Sequence, residues 1–236
     1  MTLGASFPGT CSYGSGFLVD AVGRLLRPGG DGLSERLISS ADFSTGTLVA
    51  DIGCGGGESL LRLASRGCEV LGVDIAADAL VAARQVTDGA RVLCASGMAL
   101  PLREDSVDGA IAECSLSLMP NRRAALAEWT RVLRPGAVLA ISDVFARHPQ
   151  GSDQDVSGVT GQDTLIREIY SVGLKVVSFE DFSDVLKVWV ASFVFHYGSL
   201  DSLWGGACGL SAETARRTAP GYFLMVARKP AGGCDV

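Results

Sequence analysis

The sequence predicts an α/β protein built on a doubly wound, mostly parallel seven-stranded sheet whose last strand is antiparallel. Three observations lead to this. Short apolar runs alternate with segments of helical period from residue 48 to residue 142, as expected for a parallel sheet covered on both faces. Leu48-Val-Ala-Asp-Ile52 breaks into Gly53-Cys-Gly-Gly-Gly57, so a buried strand carries an acid close to a glycine-rich turn. A second strand, Glu69-Val-Leu-Gly-Val-Asp74, also ends in a carboxylate.

Taken in order, the opening residues are rich in Gly and Ser until a helix near Phe17 to Leu26. Arg27-Pro-Gly-Gly30 makes a turn, and Leu33, Leu37 and Ile38 then recur at helical spacing over 33–40. Residues 1–46 are expected to form a helical lid segment. A core over 47–147 follows: strand 48–52, helix 58–66, strand 69–73, helix 77–86, strand 91–94, strand 108–113, helix 121–133 and strand 137–142. Arg134-Pro-Gly136 stops one helix and restarts a strand. Beyond Asp143 the pattern weakens to a polar loop (Arg147 to Gly161), helix 162–172, strand 174–179, helix 184–197 and a final strand, Tyr222 to Ala227. The last two strands are expected to pair as an antiparallel hairpin around an insertion, 180–221, on the substrate side. No repeat or linker divides the chain, so 1–236 reads as a single domain.

Composition narrows the function. The chain is 47% hydrophobic with a mean hydropathy of +0.30, yet no apolar run approaches the ~20 residues of a membrane span. Its longest such stretch, Val185 to Val194, contains Lys187 and Ser192. The first residues lack the charged and apolar segments of a secretory signal. Seven cysteines (11, 54, 68, 94, 114, 208 and 234) are scattered without a Cys-x-x-Cys pair, which points to reduced thiols in the cytoplasm and to no metal. A net charge of −6 without a basic block disfavours nucleic acid. A small-molecule substrate is the expected partner, and the apolar helix of the insertion could equally bury itself in a homodimer.

The paired strand-end acids indicate a nucleoside-containing cofactor. Gly53, Gly55 and Gly57 let the backbone turn and approach a ligand, and Asp74 sits where an acid accepts ribose hydroxyls. A dinucleotide loop requires Gly-x-Gly-x-x-Gly, but the third slot is Glu58 counted from Gly53 and Leu60 counted from Gly55. Glu58 would also repel a pyrophosphate at the helix start. These points argue against a nicotinamide-dependent reductase.

The spacing Asp51-x-Gly53-x-Gly55-x-Gly57 resembles the first motif of the class I S-adenosylmethionine (SAM) dependent methyltransferases, in the group that includes ubiquinone- and menaquinone-biosynthesis enzymes. Three further segments carry the likeness in the same order: Cys94 to Pro101, Asp105 to Cys114, and Arg131-Val-Leu-Arg-Pro-Gly136 running on to Asp143. The resemblance spans Thr47 to Arg147 and implies a Rossmann-like sheet with SAM as methyl donor. It places Asp51 near the methionine amine, the glycines beneath the cofactor, and Asp74 and Ile75 beside the nucleoside. Ser96 stands where the family reads adenine with an acid; Gly97 and Met98 would add amide contacts and an apolar wall, and Glu113 faces the crevice.

Other residues admit competing roles. Glu113-Cys-Ser-Leu-Ser-Leu-Met-Pro-Asn-Arg-Arg123 is similar to a stretch of arsenite methyltransferases, where the cysteine binds trivalent arsenic. That would give Cys114 a metalloid role, although Val159 occupies the next cysteine position and Cys11 and Cys208 would have to converge. His148 reads as solvated. His196, followed by Tyr197, is a possible proton acceptor if the insertion covers the crevice, and Tyr13 a possible lid residue. Trp189, Phe193 and Phe195 read as core or pocket wall, and with Phe17, Leu18 and Trp204 favour an aromatic or aliphatic substrate. Methyl transfer needs alignment more than a dedicated base, so no catalytic residue is assigned. A SAM-binding module without activity is the remaining alternative.

Overall fold

The computed structural model describes residues 27–86, 90–149, 159–197 and 212–232. The expected helix near Phe17 to Leu26 and the roles expected of Cys11, Tyr13, Phe17, Leu18, Trp204 and Cys208 lie outside these residues. In chain order the elements are α1 (Gly30–Ala41), β1 (Leu48–Ile52), α2 (Glu58–Ser65), β2 (Glu69–Asp74), α3 (Ala77–Val86), β3 (Arg91–Cys94) and β4 (Val107–Glu113). After a 3-10 turn at Leu116–Leu118 come α4 (Arg122–Val132), β5 (Leu133–Ala146), α5 (Gln162–Ser171), β6 (Lys175–Asp181), α6 (Ser183–Tyr197), α7 (Ala212–Thr218) and β7 (Pro220–Arg228).

The seven strands lie in the order β3-β2-β1-β4-β5-β7-β6. Strands β3 through β5 pair in parallel, and β7 runs antiparallel between β5 and β6. The expected hairpin is present, and its second strand lies inside the first. The order of strands reverses between β1 and β4, which opens a crevice at their carboxyl ends.

Alternation along each strand builds two cores. Val49, Ile111, Val138 and Leu224 join one cluster with α1, α2, α3 and α6. Ala50, Ile52, Ala110, Leu139 and Phe223 join another with α4 and α5. Because both faces are covered, the strands read as continuous apolar runs and polar groups concentrate at strand ends. No helix among the described residues is long and apolar enough to cross a membrane.

Two local expectations change. Strand β5 begins at Leu133 rather than 137, directly after α4. Its ladder with β4 shifts between the Val107↔Leu133 and Gly109↔Val138 pairs, so Arg134-Pro-Gly136 bulges from the strand instead of preceding it. Phe195 is 86% exposed, whereas Phe193 is core and Trp189 packs partly buried against it. Helix α6 turns Phe193 toward the sheet, and Phe195 two residues on falls on another face.

Helix α4 also braces the loop after β3. Trp129 is fully buried and its indole Nε1 donates to the Gly97 carbonyl at 2.7 Å. Glu128 accepts from the Leu100 amide at 2.8 Å, and Arg131 donates to the Leu102 carbonyl at 2.9 Å. Trp129→Phe keeps most of the ring and strands a buried carbonyl. We expect it to cost about 1–3 kcal/mol, read from urea unfolding; an unchanged midpoint would show that this brace is dispensable.

Candidate functional site

The turn after β1 is the floor of the crevice. Gly53, Gly55 and Gly57 all adopt left-handed backbone, with φ of +85°, +50° and +88°. Neighbours enforce glycine at the outer two. A Cβ on Gly53 would lie 2.5 Å from the Ser115 Cβ, and one on Gly57 would lie 3.0 Å from the Ala83 Cα. At Gly55 a Cβ would meet nothing within 4 Å. The outer two glycines thus serve packing, and the middle one opens onto free space.

Asp74 ties this turn to the second strand. One of its carboxylate oxygens accepts from the Gly55 amide and the other from the Ala76 amide, both at 2.8 Å. Asp74, rather than Asp78, therefore secures the backbone ahead of α3. A carboxylate has about four acceptor positions, so further donors can still be accommodated. Ile75 beside it is 76% exposed, an apolar side chain held at the rim.

Ser96 turns its own loop: its Oγ accepts from the Met98 amide at 3.2 Å. The Gly97 carbonyl is taken by Trp129, and a Cβ on Gly97 would press to 2.7 Å from the Met119 Cε. Gly97 is therefore a packing glycine. Met98 is partly buried against the α4-side core.

Glu113 departs from its expected role in the open crevice. Its side chain is 5% exposed, and its two oxygens accept from the Ser34 Oγ at 2.7 Å and the Ser59 Oγ at 2.5 Å. Arg27 lies 3.5 Å from it through Nη1, and its Nη2 is 3.4 Å from Glu58. The acid is drawn under the floor because two serines and a cation from α1, α2 and the preceding turn supply the partners a buried carboxylate needs. None of Arg27, Ser34 or Ser59 was singled out from the sequence. The only signal was the Arg27-Pro-Gly-Gly30 turn, which orients α1 so that Ser34 reaches β4.

Asp51 is in the opposite condition. It is 2% exposed, and its Oδ2 has no hydrogen-bond partner among the described residues. Burial, followed by the neighbouring Glu113, pushes its carboxyl up to about 8, with Arg27 opposing. The Cys54 thiol is likewise raised, by burial and then by Asp51.

Cys114 has left-handed backbone, φ +53°, and its Sγ lies 3.2 Å from the Tyr222 hydroxyl, which donates to the Ser142 Oγ at 3.0 Å. Burial, then Asp143, pushes the thiol up to about 12. It is a hydrogen-bonded thiol packed against β7. No group of three or more His, Cys, Asp or Glu among the described residues is arranged to hold a metal ion. His148 is exposed in its loop. The side chains of His196 and Tyr197 lie outside the described set.

Comparison with known proteins gives this arrangement a family. Residues 50–141 match the model of a methyltransferase domain. The chain is 31% identical over 225 residues to 27-O-demethylrifamycin SV methyltransferase of Amycolatopsis mediterranei, covering 84% of this chain and 83% of that enzyme. The chain belongs to the class I SAM-dependent methyltransferases. It is also similar to methyltransferase GfsG of Streptomyces halstedii, 36% identical over 52% of this chain and 46% of that protein. It spans about half the length of the first curated relatives it matches. Geranyl diphosphate methyltransferase, solved in complex with SAM, shares the fold with a TM-score of 0.69 at 19% identity, over 84% of each chain.

This methyltransferase site fits the family's cofactor on its own chemistry. A cationic sulfonium compound carrying an ammonium matches a crevice with a buried carboxyl at Asp51 whose Oδ2 has no partner among the described residues, a second acid at Asp74 and open space above Gly55.

Asp51 also has a consequence for stability. Between about pH 4 and 8 the folded protein holds a proton there that the unfolded chain has already released, so stability falls as pH rises through that window. Asp51→Asn is neutral throughout. We expect its unfolding free energy, measured by urea titration without cofactor, to exceed the wild type's at pH 8 by an amount on the order of a few kcal/mol, and the two to converge toward pH 4. A constant difference across the range would show that Asp51 does not titrate there.

Proposed function

We propose that this protein transfers the methyl group of SAM to a small-molecule acceptor, with a hydroxyl as the first acceptor class to test. The observation that carries the reading is the buried Asp51 carboxyl, whose Oδ2 has no partner among the described residues, beside a glycine turn whose middle residue faces open space. Asp51 receives the cofactor's ammonium, the turn from Gly53 to Gly57 lies beneath its chain, and Asp74 accepts its ribose hydroxyls. Ile75, Ser96, Gly97 and Met98 border its purine. Glu113 acts on the site through Arg27. Relatives with similar sequences carry O-methyltransferase names, including the rifamycin enzyme, which supports oxygen as the acceptor atom.

SAM supplies an electrophilic methyl on sulfur. What these residues contribute is alignment, which can lower a displacement barrier by about 7–11 kcal/mol when geometry is ideal. Among the described groups near the crevice, Cys114 and Tyr222 are both pushed up by burial and do not serve as bases at neutral pH. Asp143, also raised by burial, spends its oxygens on the Ser117 and Val144 amides. On α6, Phe193 is core and Trp189 packs against it, which leaves less apolar surface there to receive an acceptor.

The deciding test is calorimetric titration with SAM and, separately, with NADH. SAM binding at micromolar concentration without NADH binding is the expected result; NADH binding alone would overturn the reading in favour of a reductase. A variant sharpens the assignment. Gly55→Val places a side chain into the open space, at about 1–2 kcal/mol of left-handed strain. It should fold, by circular dichroism, and fail to bind SAM. Retained binding would mean the cofactor lies elsewhere.

A further inference from the structure

Cations gather where β5 and β7 meet, on the side of the sheet away from Asp74. Strand β5 pairs its Ser142 with Glu113, the last residue of β4, and runs on to Ala146, which pairs with Pro220 at the start of β7. Arg147 and His148 follow directly. The His148 amide donates to the Thr218 carbonyl at 3.0 Å. That bond fastens Arg147 beside the last turn of α7, which carries Arg216 and Arg217. Ala219, left-handed at φ +44°, makes the step from that helix into β7. At roughly 3.3 Å per residue along β5, Arg147 stands on the order of 15 Å beyond the level of Glu113.

All three arginines are exposed, and among the described residues none of them makes a salt bridge. Acids at the junction of β6 and α6 have other partners. Glu180 pairs with Arg36, Asp181 accepts from the Ser183 amide at 2.7 Å, and Asp184 pairs with Lys187 at 2.7 Å. Arg147 bears on Asp184 without forming a salt bridge with it. Glu213, in the first turn of α7, still leaves the cluster with excess positive charge, in a chain whose net charge is −6. Cations in a last turn suit the helix dipole. Here, though, α7 has only seven residues, its Thr218 carbonyl is already taken, and Arg147 belongs to no helix. Like charges held together on a surface repel one another and concentrate anions there.

Strand order fixes what the cluster faces. Asp74 ends β2, on the far side of β1 from β4, and the cofactor reading above lays the nucleoside there. The methyl acceptor then enters from the other side, over β5 and β7. Building on that reading, we propose that Arg147, Arg216 and Arg217 bind an oxyanion, a carboxylate or a phosphate, at the far end of the acceptor. A hydroxyl in the crevice and an anion on the order of 15 Å away require an elongated molecule. Guanidinium forks match both kinds of oxyanion. Three side chains fall far short of the roughly 20–30 residues that a protein partner's interface takes, so the ligand is the end of a small molecule.

The test uses the full chain saturated with S-adenosylhomocysteine and three probes of one length: α,ω-dodecanediol, ω-hydroxydodecanoate and ω-hydroxydodecyl phosphate. By calorimetry, wild type should bind at least one anionic probe about 10-fold more tightly than the diol. The gap should narrow as salt rises, and the better-bound anion tells a carboxylate from a phosphate. Combining Arg147→Ala, Arg216→Ala and Arg217→Ala should erase the preference, with S-adenosylhomocysteine affinity reporting an intact fold; Arg147→Ala alone should narrow it. Equal wild-type affinity for the three probes, or binding by none of them, overturns the proposal without any variant. A preference that survives in the combined variant overturns it as well, and each of these results leaves the cofactor reading intact. Failure of S-adenosylhomocysteine to bind the wild type overturns the cofactor reading itself, and the anion assignment with it.

Discussion

A sheet buried on both faces can place polar side chains only where its strands end, and the whole site follows from that constraint. Apolar alternation consumes the middle of β1, β2 and β4, so Asp51, Asp74 and Glu113 all gather toward their carboxyl ends. The reversal of strand order between β1 and β4 leaves no helix crossing directly above those ends, and the crevice opens there. Gly53 can follow β1 closely because no Cβ separates it from Ser115.

Three carboxyl groups in one small volume would repel one another, and the structure treats each differently. Asp74 is satisfied by backbone amides. Glu113 is satisfied by two serine hydroxyls and faces Arg27. Asp51 is left with an oxygen that has no partner among the described residues and with a raised carboxyl. A buried ion pair of this kind is weak evidence for stability, because desolvation offsets much of the attraction. Its better-supported role here is to hold groups in a fixed geometry before a ligand arrives, which lowers the ordering cost of binding.

The purine side of the crevice is organised from further away. Ser96 satisfies the Met98 amide and α4 clamps the loop through Trp129, Glu128 and Arg131. A serine there is therefore sufficient to shape the loop without a charged residue. Cys114, hydrogen-bonded to Tyr222, belongs to the packing between β4, β5 and β7.

Much of this was legible in the sequence alone. Element order, the parallel core, the antiparallel closing hairpin and the glycine turn with its two acids follow from local patterns: period two against period three and a half, glycine where φ is positive, an acid where a strand stops. Those signals are short-range, so one chain suffices to read them. The exposure of Phe195, the bulge at Arg134-Pro-Gly136 and the insertion of β7 between β5 and β6 were not legible, because each depends on what packs opposite. The same holds for the charge cluster. Arg27 and Ser34 precede β1, while Glu113 ends β4, and nothing local links them. The sequence by itself determined which residues reach the strand ends; only the tertiary structure decided which of those acids is paired and which is left waiting, because pairing a buried charge depends on partners brought from distant parts of the chain.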